Sequence, residues 1–179
     1  VELSGGYSVR VLVDYDNDMG PPWEEHDGHG PVSEWTTRDK APGERTLCED
    51  GRSRRYFDFT AAVALARKDG WGSAGGKGLK GGAKAAHAAE ADFKYLSDWA
   101  NDRWHWCYVK TEVSRAGQVI DMDCCGGIED YGDYWREFAA EVANGIIACD
   151  RKARRDSAIA ARKEKRESGY WFARGVVTI

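Results

Sequence analysis

Three aspartates at alternate positions, Asp14, Asp16 and Asp18, are followed within a few residues by two histidines three apart, His26 and His29. Carboxylates at alternate positions are how a loop wraps a hard cation, and Glu25 stands where a calcium-binding EF-hand loop carries its last ligand. The pattern breaks at Met19, which takes the place of the glycine at the sharp turn, and at Pro21 and Pro22 inside the loop. The histidine spacing would converge two imidazoles on a helix, but Gly28, Gly30 and Pro31 oppose a helix there. The chemistry left open is a looser divalent-metal site on Asp14, Asp16, Asp18, His26 and His29, serving a metal-dependent nuclease or hydrolase. No other cofactor is expected.

The surrounding stretch, DYDNDMGPPWEEHDGHGPVSEW from Asp14 to Trp35, holds seven carboxylates and no Lys or Arg. Its prolines and glycines make it a loop, and an acidic loop of this kind can instead face a basic partner. Trp23, Glu24, Glu25, Asp27, Glu34 and Trp35 are the candidate contact residues, aromatic anchors among charges that steer association.

Charge is segregated along the chain. Residues 1–150 carry 17 Lys/Arg against 27 Asp/Glu, whereas residues 151–179 carry 9 against 3. Arg151, Arg154, Arg155, Arg162, Lys163 and Arg166 are candidate phosphate contacts for nucleic acid. The alternatives are a solvated helix or an acidic protein patch, the 14–35 loop included.

Other motifs fail on spacing. Residues 70–82 hold seven glycines, but no Ser or Thr follows Lys77, so a phosphate loop is excluded and a flexible connector expected. Cys107 and His105 share one face of a strand, which reads as packing. The five cysteines include no C-x-x-C pair, which argues against structural zinc and for a reducing cytoplasm. No apolar run reaches a membrane-spanning length and no signal peptide is evident, so no membrane partner is expected. Val1 in place of Met fits a literal reading of a GTG start codon in a prokaryotic or phage gene.

The elements that must position these residues follow from periodicity. Tyr7–Tyr15 alternates as a strand, and short strands near Arg45–Cys48 and Arg54–Phe57 form a hairpin around Glu49-Asp50-Gly51. Asp58 caps a helix that Gly70 ends, and residues 83–102 form a second helix with Ala89, Phe93, Leu96, Trp99 and Ala100 on its inner face. Trp104–Val113 is a strand, turned at Ala116-Gly117 into a partner over Gln118–Cys124. A long helix starts near Tyr131, turns basic after Asp150 and ends at Gly169, and Tyr170–Ile179 returns as an edge strand. The spacing therefore predicts one α+β domain over residues 1–179, an antiparallel sheet packed with three helices, with 151–169 as a basic helical extension.

The phrases GPPWEEHDGHGPVSEW, FDFTAAVALARKDGWG and AEADFKYLSDWANDRWHWCYV resemble those of a group of small uncharacterised accessory proteins of tailed phages and prophages. The resemblance covers roughly residues 9–148 and brings no catalytic residues. It implies a protein that binds and blocks host machinery in the bacterial cytoplasm, of the anti-CRISPR or anti-restriction type, with a host protein or ribonucleoprotein complex as partner.

Overall fold

The computed structural model describes residues 2–72 and 76–173, and of Glu2 and residues 169–173 only the backbone. The chain is α+β. Its elements, in order, are β1 (Glu2–Leu3), β2 (Tyr7–Tyr15), α1 (Pro22–Glu25), β3 (Glu44–Asp50), β4 (Ser53–Asp58), α2 (Phe59–Asp69), α3 (Gly81–Ala100), β5 (Trp106–Arg115), β6 (Gln118–Glu129) and α4 (Tyr134–Ala173). They gather into two compact units: Val1–Asp14, Cys107–Ile128 and Gly132–Ile179 in the first, Tyr15–Trp106 and Glu129–Tyr131 in the second. The division falls at strand ends, and the glycine stretch 70–82 lies inside the second unit.

In the first unit the strand order is β1-β2-β5-β6. β5 alternates as expected, with Cys107, Val109, Thr111 and Val113 all buried. That face meets the first half of α4: Ala139, Trp135 and Phe138 pack on Cys107, Val109 and Ile128, and Ala143 and Ile147 pack on Tyr7 and Val113. The β5–β6 hairpin turns on Ala116 (φ 49°) and Gly117 (φ 78°), the paired positive values of a tight two-residue turn. β6 runs past Cys124 to Glu129, with Gly127 inside it at φ 66°.

In the second unit β3 and β4 pair antiparallel, with an irregularity between Thr46 and Cys48. The extra residue there is Leu47, which the bulge turns into a core of Phe57, Ala62, Ala89 and Leu96. Asp58 caps α2 by accepting the Ala61 amide, and Gly70 closes it at φ 70°. The alanines of α3 allow close approach: Ala66 of α2 meets Ala85 and Ala88.

Two expectations are corrected. The 14–35 segment contains one helical turn, α1, started by Pro22 at a position where the missing N–H costs nothing. Further along, α4 does not stop at Gly169 but continues to Ala173. A glycine inside a helix costs only about 1 kcal/mol, too little to end one without a left-handed cap. The edge strand proposed for Tyr170–Ile179 is therefore helical over 170–173, and 174–179 lie outside the described residues. No helix among the described residues is long and apolar enough to cross a membrane.

Candidate functional site

The acidic segment is held from within. Asp16 is buried and accepts the Asp18 amide at 3.1 Å, a turn closed by the aspartate's own side chain. The Asp16 amide bonds to the Trp106 carbonyl at 2.9 Å, and the Trp106 indole donates to the Gly20 carbonyl at 2.9 Å. Glu25 reaches back to accept the Gly20 amide at 2.8 Å. Pro22 is buried, and Trp23 stands edge-on to Trp99 with centroids 5.4 Å apart.

The second half of the segment runs beside β4. Ser33 and Thr36 donate backbone bonds to Tyr56 and Arg54, and the Asp58 amide donates to the Pro31 carbonyl. Gly30 is the tightest point. A Cβ there would lie 2.5 Å from the Phe57 ring and 2.6 Å from the Ala62 methyl, so only glycine lets the backbone approach the core this closely.

Asp92 of α3 fixes this point with both oxygens. One accepts the Gly30 amide at 2.7 Å and the other meets His29 Nδ1 at 2.6 Å. His29 in turn stacks on Tyr95, 9° from parallel. The Tyr95 hydroxyl donates to Glu129 at 2.8 Å. Burial first, then that bond and the charges of Glu129 and Asp92, push the Tyr95 pKa far above the usual phenol value. These groups border an open cleft of about 500 Å³ shared with His26, Trp71 and Ala88.

A His–Asp pair is the orienting half of a nucleophile–base arrangement. Among the described residues that line the cleft there is no Ser, Thr, Cys or Lys to stand as the attacking half. Tyr95, held protonated, is a poor base. Through its bonds to His29 and Gly30, Asp92 ties α3 to the segment as a clasp.

The sequence-predicted metal residues are placed separately. Asp14 and Asp18 are exposed and Asp16 is turned into its own loop. His26 packs edge-on to Trp106 at 5.5 Å, while His29 is committed to Asp92. Among the described residues no group of three or more His, Cys, Asp or Glu side chains is arranged to hold a metal ion. Cys107 is buried with its thiol on the Ile128 carbonyl.

Of the predicted contact residues, Glu24, Glu25, Asp27, Glu34 and Trp35 are exposed, and Trp23 turns inward. Trp35, 45% exposed, has Arg55 over its ring. Arg55 lies 3.8 Å from a Glu34 oxygen, which leaves Glu34 almost fully in solvent.

Sequence reasoning missed Asp92, Tyr95 and Glu129. Asp92 carried a usable signal, because it lies three residues after Ala89 and four before Leu96, on the apolar stripe of α3. A carboxylate on a core-facing stripe needs a partner.

Every residue from Arg151 to Ser168 of α4 is exposed, so all six predicted nucleic-acid contacts face solvent. Comparison with protein-family models, with curated proteins and with solved structures finds no match for this chain.

Proposed function

We propose that this chain is a binding protein, not a catalyst, and that its acidic 16–35 segment occupies a basic surface of another macromolecule. One observation carries the reading. The segment's backbone is bonded inward through Asp16, Trp106, Asp92 and β4, while Glu24, Glu25 and Asp27 remain in solvent with no Lys or Arg within the segment. A surface ordered before it meets its partner loses little conformational entropy on binding, and clustered charge speeds encounter with an opposite surface. Trp35, next to the exposed Glu34, supplies a half-exposed aromatic anchor on the same segment.

In the phage setting that the sequence resemblance implies, the basic surface is the nucleic-acid-binding face of a host defence or nucleic-acid-handling complex. The chain would act as an inhibitor there by competing with nucleic acid.

The test is capture from bacterial lysate with the immobilised full chain, beside the variant Glu24→Gln/Glu25→Gln/Asp27→Asn. The expected result is a stoichiometric partner that is released by salt and lost in the variant. Recovery of no stoichiometric partner, or undiminished capture by the variant, overturns the proposal.

A further inference from the structure

We infer that one face of the second half of α4, joined to Arg115, is a binding site for the phosphate backbone of a nucleic-acid duplex. The inference does not depend on the acidic segment. It starts from where the charges fall around the helix. At about 100° per residue, Arg151, Arg154, Arg155, Arg162, Lys165 and Arg166 lie within about 60° of one line along the axis. Asp156, Glu164 and Glu167 lie at least about 140° from that line. Lys152 and Lys163 fall to one side, and Lys163 is 3.9 Å from Glu167. The face is thus six cations long with no carboxylate on it, and it extends about 22 Å at 1.5 Å per residue.

Its N-terminal end is built into the first unit. Arg151 and Arg115 stand over the ring of buried Tyr7, at 5.3 and 5.4 Å from its centroid. Arg115 Nε donates to the Gly5 carbonyl and Arg151 to the Ser4 carbonyl, each at 3.3 Å. The Tyr7 hydroxyl is anchored on Asp150 at 2.7 Å, off the basic line. Gly5, Tyr7, Arg115 and Arg151, with Arg154 and Arg155, line an open concavity of about 340 Å³. Four guanidinium groups around one small hollow, two of them fixed by ring and backbone contacts, make a fork suited to phosphate oxygens.

The same face distinguishes a nucleic acid from an acidic protein. The only other residue on the line is Ala158, and the exposed Ile159 lies about 80° away. A protein partner needs an apolar anchor at the centre of its contact, whereas a nucleic-acid interface is polar and positive throughout. A row of cations also matches a duplex, which carries one negative charge per about 1.7 Å of axis.

The experiment is fluorescence anisotropy of the full chain with a labelled DNA duplex, an RNA duplex and a poly-glutamate peptide, over about 50–200 mM salt. With six phosphate contacts, affinity for the preferred duplex should fall roughly a thousandfold across that range, at a log–log slope near −5. Arg154→Gln/Arg155→Gln should reduce the slope by about two units. The charge-matched control Lys152→Gln/Lys163→Gln should leave the slope unchanged. Both pairs are in exposed helix, and circular dichroism verifies that each remains folded. No duplex binding at 50 mM salt, equal slopes for the two variant pairs, or poly-glutamate binding as tight as either duplex overturns the inference.

Discussion

Replacing Asp92 by Ala removes a side chain outside the proposed contact surface, yet it should loosen that surface. The substitution deletes two bonds, at 2.7 Å to the Gly30 amide and 2.6 Å to His29. Gly30 is buried, so its N–H is left without an acceptor, a cost of about 1–3 kcal/mol. The bond to His29 contributes about 1 kcal/mol more, because that ring is partly exposed and can turn to water. The sum, about 3 kcal/mol, corresponds to a urea midpoint lower by about 1–3 M at ordinary denaturant sensitivities. Unfolding can be followed by the fluorescence of Trp23, Trp71, Trp99, Trp104 and Trp106, all in the same unit as the clasp. Asp92→Asn keeps an acceptor for Gly30 and should recover about half of the loss. Amide exchange over residues 22–35 should rise in Asp92→Ala well before global unfolding. A midpoint shift below about 0.3 M, with exchange over 22–35 unchanged, would refute the clasp and the preordered surface that rests on it.

Other substitutions test the same physics elsewhere. Gly30→Ala should lower stability by about 2–3 kcal/mol, since its methyl would enter the Phe57 ring and the Ala62 methyl; a thermal melt within a degree of wild type contradicts that packing. Thr111 is fully buried with no hydrogen-bond partner for its hydroxyl among the described residues, so Thr111→Val should stabilise by about 1 kcal/mol in urea titrations. Asp98 is buried, which alone would raise its pKa, but hydrogen bonds from Lys94 and Arg103 hold it below the usual 3.8. Its contribution is therefore complete above pH 3.8 and lost as pH falls below it, and Asp98→Asn should flatten the acid limb of stability against pH. Tyr95 has the opposite sign: its pKa is raised, so its contribution is complete below pH 10 and declines above it, and Tyr95→Phe should flatten the alkaline limb.

Much of the fold was legible in the sequence because local rules decided it. Asp58 and Gly70 bound α2 through capping and a left-handed turn, and Ala116-Gly117 turned its hairpin, each within a few residues. The strand Tyr7–Tyr15 was readable from alternation alone. What escaped depends on residues distant in the chain. The clasp on Gly30 comes from Asp92, 62 positions away; the apolar stripe of α3 marks that carboxylate as needing a partner, but nothing local says which. The inward turn of Trp23 onto Trp99 is of the same kind. The metal spacing of Asp14, Asp16 and Asp18 was visible but indecisive, since the same residues close turns, and Asp16 does so here. The basic helix was visible as composition, but which cations share a face emerged only from its phase and from Arg115 on β5.

The second half of α4 has a consequence for how the helix behaves without a partner. From Lys152 to Ser168 every residue is exposed, so beyond the Arg151 contacts with Tyr7 and Ser4 the helix is held by its alanine content, its own backbone and the Lys163–Glu167 pair. Against these work like charges one turn apart, Arg151 with Arg154 and Arg155, and Arg162 with Lys165 and Arg166, each pair unfavourable by about 0.2–0.5 kcal/mol. Salt screens that repulsion, and a bound polyanion neutralises it. The helical length beyond Asp150 is thus an ionic-strength-dependent quantity: the folded unit sets where the rod begins, and the anions around it set how far it reaches.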